Sequence, residues 1–294
     1  MASISTNSIV EAIVSEASSL KTYLENVDEQ TWASDSTSDG WTIEDIAFHL
    51  SVSVGGWTSN ITRAVAGHSG PPEGQSFVPS GQRASHPSGP SAREFRQKSR
   101  AQILDDFTSG HEHLQNVIGM LSEEDWAKPC FHRRGVLPVK AYLSIQIQEL
   151  ALHGWDIRWG IDSKAELSLS SLPPLLELVP RWIGTAFTPG LDLPVPVRYR
   201  FDVSDPLEVR KDLIVRGDTF STEQHNSEAP DAIFGCDTGN YLLLMFGRLQ
   251  VEHAIADGRL VVEGSLERAK NFNNWFKGFS VSYTHLTLPT IYSV

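Results

Sequence analysis

Apolar residues recur at helical spacing through the first half of this chain and at strand spacing through parts of the second. A helix repeats every ~3.6 residues and a strand every two, so one segment cannot satisfy both periods. The chain is therefore expected to be helical first and α+β afterwards. Residues 8 to 27 place Ile9, Ile13, Leu20 and Leu24 on one helical face. A second helix starts after Thr42, whose hydroxyl and the Asp45 carboxylate three residues on suit an acidic capping box. It carries Ile43, Ile46, Ala47, Leu50 and Val54 towards about Ala66, with Gly55-Gly56 weakening its later turns. A third is expected from about Ser91 to Leu121, with Phe95, Ile103, Leu104, Phe107, Leu114 and Ile118 inward, and a fourth from Val139 to Trp159. Four long helices with one apolar stripe each make an up-and-down bundle.

Residues 67 to 91 are rich in Gly, Pro and Ser, the composition and length of a lid or a mobile segment. Val27-Asp28-Glu29-Gln30-Thr31-Trp32 after the first helix is echoed by Leu121-Ser122-Glu123-Glu124-Asp125-Trp126 after the third, as two related helical hairpins would produce. Pro173-Pro174 reads as a break, and Pro189, Pro194 and Pro196 as further breaks. Residues 197 to 203 and, more loosely, 212 to 216 alternate like half-buried strands; residues 259 to 263 make another. Asp237-Thr238 caps a helix containing Tyr241 to Phe246, and residues 266 to 276 form a closing one. The expected units are 8–165, helical, and 190–279, α+β. Residues 280–294 carry no formal charge and resemble a translated adaptor sequence, so truncation after about Phe279 is expected to leave folding unchanged.

Composition narrows the function. With 40% hydrophobic and 20% charged residues, the chain of 294 residues is globular. Its 36 acidic residues against 24 Lys plus Arg give a net charge of −12, which repels phosphate backbones and anionic lipid. No nucleic acid or membrane partner is expected, and a monomer or small homo-oligomer is. Cys130 and Cys236 form no C-x-x-C pair, which excludes a disulfide framework and a thiolate-rich zinc site. The first residues lack the layout of a signal peptide, and no stretch has the ~20 apolar residues of a membrane span; a soluble cytoplasmic protein is expected.

The chain lacks a G-x-G-x-x-G, a Walker A sequence, a G-x-S-x-G elbow and an H-E-x-x-H. His111-Glu112-His113 looks like a metal cluster, but neighbouring and i+2 side chains on a helix diverge, so a solvated face is the expectation there. The informative residues are His49, Glu149 and His153. Glu149 and His153 stand four apart on the fourth helix and leave the same face. His49 lies in the stripe of the second. Three N/O ligands leave a fourth position open, the arrangement of catalytic rather than structural zinc. Spacing alone also suits, and by itself favours, a helix-stabilising Glu–His pair and one satisfied core histidine.

Glu149-Leu150-Ala151-Leu152-His153-Gly154-Trp155-Asp156 and Trp41-Thr42-Ile43-Glu44-Asp45-Ile46-Ala47-Phe48-His49-Leu50 resemble the fourth- and second-helix motifs of the DinB-like metal-binding bundles and, within them, the mycothiol-dependent maleylpyruvate isomerase family. Phe246-Gly247-Arg248 and the run from Asp257 to Gly264 are similar to the smaller, sterol-carrier-like α+β domain that follows the bundle in that family. The resemblance covers about residues 8 to 279, and the 67–91 stretch is longer than the family's usual connection. It implies that His49, Glu149 and His153 bind zinc or another divalent metal, with mycothiol or another low-molecular-weight thiol as cosubstrate. It further implies cis–trans isomerisation of a maleylpyruvate-like unsaturated acid. An S-transferase on the same site, a non-catalytic small-molecule binder and a metal-assisted hydrolase are the alternatives. An arginine of the second domain is implied to hold substrate carboxylates, for which its planar fork is suited. Arg248 and Arg259 stand in the matching motifs, with Arg83, Arg93 and Arg96 near the insertion as weaker candidates. Asp156 either orients His153 or bonds locally. Neither Cys130 nor Cys236 has a sequence-based claim to be a nucleophile.

Overall fold

The computed structural model describes residues 4–38, 40–78, 97–189, 193 and 195–277. Four long helices build the first half: α1 (Thr6–Asn26), α3 (Ile43–Val65), α4 (Arg100–Gly119) and α5 (Val139–Trp159), with the single turn α2 (Glu29–Trp32) after the first. The capping box expected at Thr42 is present. The Thr42 hydroxyl accepts from Asp45 N at 3.2 Å, and the Asp45 carboxylate accepts from Thr42 N at 2.9 Å. Gly55-Gly56 does not interrupt α3. The third helix starts later than expected, because Ser99 and Gln102 form their own capping box there; of the expected start, residues 91 to 96 lie outside the described residues. The echoed Trp32 and Trp126 segments both form single helical turns, the second being a 3₁₀ turn over Glu123–Ala127.

The helices pack in a ring α1–α4–α3–α5 around Ile13, Leu20, Ile46, Leu50, Ile103, Phe107, Leu143, Ile147 and Leu150. His111 corrects the expectation of a fully solvated His111-Glu112-His113 face. Glu112 and His113 are exposed, but His111 is buried, with Nδ1–H donating to the Phe107 carbonyl at 2.8 Å. The strands β1 (Pro129–Cys130) and β2 (Leu137–Pro138) pair as a short ribbon that leads into α5.

Pro173-Pro174 does not break the chain. It opens α6 (Leu172–Ala186), because a helix's first N–H groups have no intrahelical partner and proline is tolerated there. A five-stranded sheet follows, in the order β5–β4–β3–β6–β7: β3 (Val197–Ser204), β4 (Val209–Arg216), β5 (Thr219–Gln224), β6 (Ala232–Asp237) and β7 (Val261–Gly264). Only the β3–β6 pairing is parallel. In the short turn between β4 and β5, Gly217 has a positive φ, a conformation in which a side chain would be strained. β5 and β6 have no counterpart in the sequence reading. Asp237 caps α7 (Thr238–Met245), α8 (Val251–Ala256) follows, and the expected closing helix divides into α9 (Leu266–Lys270) and α10 (Phe272–Trp275).

The sheet, α6 and α7 enclose a second core that contains Leu175, Tyr199, Phe201, Phe234, Leu242 and Phe272. α5 contributes to both cores. Its Tyr142, Leu143, Ile147, Leu150 and Ile157 face the bundle, and its Ala151, Leu152 and Trp155 enter the second core. No helix among the described residues is long and apolar enough to cross a membrane. Residues 79–96, with Arg83, Arg93 and Arg96, and the 280–294 tail lie outside the described residues.

Candidate metal centre

α5 begins after Pro138 and ends at Gly160, so Glu149 and His153 stand well inside it, one turn apart on one face. α3 runs antiparallel beside it. Side chains pair across the two helices from Asn60 and Tyr142 (2.9 Å) to His49 and Glu149. His49 Nε2 lies 3.3 Å from Glu149 Oε2, and His153 Nε2 lies 3.5 Å from the same oxygen. The three ligand atoms are within 4.8 Å of one another; His49 is buried and the other two are half-buried.

These distances fit a metal. Ligand atoms held ~2.0–2.1 Å from a tetrahedral ion sit about 3.3–3.4 Å apart along each edge. Both histidines present Nε2 to the common point. His153 Nδ1 is occupied by Asp156 Oδ2 at 3.1 Å, which fixes the ring and leaves Nε2 to act as ligand. The indole of Trp41 packs on both rings, edge-on to His49 at 5.3 Å and stacked on His153 at 6.1 Å. The donor set of two imidazoles and one carboxylate suits zinc.

The electrostatics of the three groups agree with that arrangement. Burial works against charge on Glu149, yet the imidazoles of His153 and His49 hold it well below the usual carboxylate range. Burial also disfavours charge on His153, but the Asp156 and Glu149 carboxylates outweigh it and raise His153 to about 9. On His49 burial dominates and lowers the pKa. Glu149 is thus held as a carboxylate and His49 as a neutral imidazole, the forms in which each can donate to a cation.

Asp156 is the hub behind the ligands. Fully buried, it accepts from Ser38 Oγ (2.8 Å) and Thr37 Oγ1 (3.3 Å) of the loop before α3, from His153, and from both Nε (2.8 Å) and Nη2 (2.9 Å) of Arg248. Arg248 follows α7, so a side chain of the second half grips the helix that carries two of the three candidate ligands. Arg259 is placed elsewhere. It lies 4.1 Å over the Trp159 ring and donates to the Ser163 and Ala165 carbonyls and to Asn240 Oδ1, which fastens the junction between the halves. The structure thus brings His49, Glu149 and His153 together, connects Arg248 to them through Asp156, and sets Arg259 on the junction. Sequence reading left the role of Asp156 open and missed Trp41, Thr37 and Ser38. The i, i+3 spacing of His153 and Asp156 was the one available signal, since the other three depend on how the loop before α3 folds back.

Residues 14–158 match the mycothiol maleylpyruvate isomerase N-terminal domain, and residues 196–277 match the SCP-2 sterol transfer family. Among solved structures, the chain is similar to a mycothiol-dependent maleylpyruvate isomerase at 14% identity and a TM-score of 0.57, over 84% of this chain and 90% of that one. It is similar also to a histidine-to-alanine mutant of a mycothiol-dependent maleylpyruvate isomerase, at 12% identity and a TM-score of 0.57, over 90% of this chain and 95% of that one. No curated protein gives a significant sequence match. A helical domain of the first kind followed by an α+β domain of the second places the chain in the mycothiol-dependent maleylpyruvate isomerase family.

Proposed function

We propose that the protein is a zinc-dependent, thiol-dependent cis–trans isomerase of a small unsaturated acid of the maleylpyruvate type. The observation that carries this reading is the His49–Glu149–His153 cluster, with ligand-atom spacings of 3.3 and 3.5 Å and a buried carboxylate orienting one ligand. A divalent ion held there supplies a Lewis-acidic position at which an external thiol is kept deprotonated at neutral pH.

The chain's own residues do the rest. Glu149 and the two imidazoles define the position, Asp156 fixes the His153 ring, and Trp41 limits water beside both imidazoles. The thiolate sulfur adds to the activated C=C bond, a C–S bond forms, and the π pair moves onto the conjugated carbonyl. The former double bond rotates as a single bond; the pair then returns, the C–S bond breaks and the thiol leaves unchanged. Arg248 is the arginine we assign to substrate carboxylates. Arg248 is held by Asp156 but stands one residue removed from a candidate ligand, whereas Arg259 stands at the junction, against Trp159 and the 163–165 backbone.

If the adduct is not expelled, or a leaving group is displaced, the same site is an S-transferase. Binding without catalysis has its own support. A cavity of about 510 Å³ lies between α6 and the sheet, lined by Leu176, Val179, Ile183, Phe201, Leu213 and Met245. Its lining includes none of the three ligands. Metal analysis followed by turnover of maleylpyruvate with mycothiol and other cellular thiols decides among these. One zinc per chain and saturable, thiol-dependent isomerisation are expected. Thiol consumption without isomerisation selects the transferase. Turnover without any thiol selects a hydrolase, and a protein that holds an apolar ligand but no metal selects the binder.

A further inference from the structure

The seam between α3 and α5 continues beyond the metal ligands. On α3, His49, Ser53 and Asn60 share one helical stripe; on α5, His153, Glu149, Gln146 and Tyr142 share another at i, i+3/i+4 spacing. The ladder is closed at both ends, by His49 with Glu149 and by Asn60 with Tyr142. Its middle rung is not. Ser53 and Gln146 are 8% and 1% exposed, yet Ser53 Oγ and both amide atoms of Gln146 have no hydrogen-bond partner among the described residues. Such atoms cost free energy unless something pairs them, and buried polar groups are usually paired.

We propose that Ser53 and Gln146 form a subsite for the amide group of the thiol cosubstrate. This rests on the thiol-dependent reading above. A carboxamide has one donor face and one acceptor face, so its complement offers an acceptor and a donor side by side, as a secondary amide does. A carboxylate offers acceptors only and leaves Gln146 Oε1 unpaired, and neither rung residue is a cation that would compensate it. The reach is correct. Gln146 is three residues, ~4.5 Å of helix rise, from Glu149. A sulfur ~2.3 Å from the metal, followed by two or three bonds of ~1.5 Å, puts the amide of a cysteine-like thiol at that level.

The test uses cobalt-loaded protein, whose charge-transfer absorption reports sulfur at the metal. Two thiols of equal shape are titrated: N-acetylcysteamine, and its ester 2-mercaptoethyl acetate, which lacks the N–H. The amide should bind about tenfold more tightly than the ester, the loss expected for one buried acceptor left unpaired. Gln146→Met, which removes the two unpaired atoms and keeps the length, should bring the ratio near one, weaken the ester less than the amide and leave the protein folded. Ser53→Ala, a smaller change, should weaken the amide alone. Equal binding of the two thiols by the unaltered protein, or a ratio that survives Gln146→Met, overturns the subsite while the thiol reading stands. If neither thiol perturbs the spectrum, the thiol reading fails and the subsite with it.

Discussion

Replacing Asp156 by Asn removes one charge and converts one acceptor to a donor, with almost no change in volume. Arg248 addresses both oxygens, Nε to Oδ1 and Nη2 to Oδ2, so whichever way the new amide turns, one guanidinium N–H meets an N–H. Placing the amide oxygen at the Oδ2 position keeps Ser38, His153 and Nη2 bonded and sacrifices the Nε contact. Breaking a buried charge pair costs ~3–5 kcal/mol. The Arg248 side chain is 18% exposed. The lower end of that range, about 3 kcal/mol, is therefore expected. For the metal, the lost charge behind His153 should weaken zinc by ~10–100-fold. Thermal unfolding in chelator measures the first effect and competition with a chromophoric zinc indicator the second. Arg248→Met separates them: it should destabilise the fold while costing less zinc affinity than Asp156→Asn, since the carboxylate still orients His153. If Asp156→Asn binds zinc as tightly as the unaltered protein, the carboxylate does not tune the centre and the reasoning is wrong.

Three further outcomes are expected. Glu149→Ala and His153→Ala should each yield folded protein with little zinc by metal analysis; full occupancy in either rejects that ligand. Burial pushes the Cys130 and Cys236 thiols up to about 12, so both stay protonated near neutral pH. Native protein should therefore alkylate slowly with iodoacetamide, and Cys130→Ser with Cys236→Ser should keep thiol-dependent turnover. Burial lowers His111 to about 4 against an ordinary 6.5. The unfolded chain thus takes up this proton first as pH falls, and the neutral histidine's contribution is complete above pH 6.5 and lost between 6.5 and about 4. That loss is at most about 3 kcal/mol. His111→Leu should reduce the slope of denaturant-measured stability over that window, the remainder coming from His132, which burial likewise lowers to about 4, and an unchanged slope would exclude His111 as a source.

The parts of this molecule that local chemistry dictates were legible in the sequence. The Thr42–Asp45 box marks the start of α3, and Val139 to Trp159 is one helix as expected, bounded by Pro138 and Gly160. Glu149 and His153 were recognisable as a same-face pair, and the motifs around them and His49 singled out the trio. What failed depended on context. Pro173-Pro174 suits a helix's first turn as well as a break, and only packing of α6 on α5 and α7 decides between them. β5, Thr219-Phe220-Ser221-Thr222-Glu223-Gln224, lies at the sheet's edge with no buried residue, so it carries no hydrophobic alternation to detect. The Asp156 hub joins residues 37, 38, 153 and 248, and the bare Ser53–Gln146 rung is visible only once two helices are set side by side.

That α5 is held by two cores bears on how such a chain can be cut or recombined. Between 159 and 172 one run of long helices has ended and the sheet has not begun, which makes that stretch the obvious place to cut. The cut would leave Ala151, Leu152 and Trp155 as an uncovered apolar strip on the bundle and would take Arg248 away from a fully buried carboxylate. Fragments made there should be poorly soluble alone and should recover zinc affinity when mixed. By the same logic, a foreign second half grafted onto this bundle must bring both a cover for Trp155 and a cation for Asp156. The sheet-bearing half supplies the cation that pairs the carboxylate behind His153, so gene fusions that treat it as an interchangeable appendage should lose zinc affinity before they lose the helices.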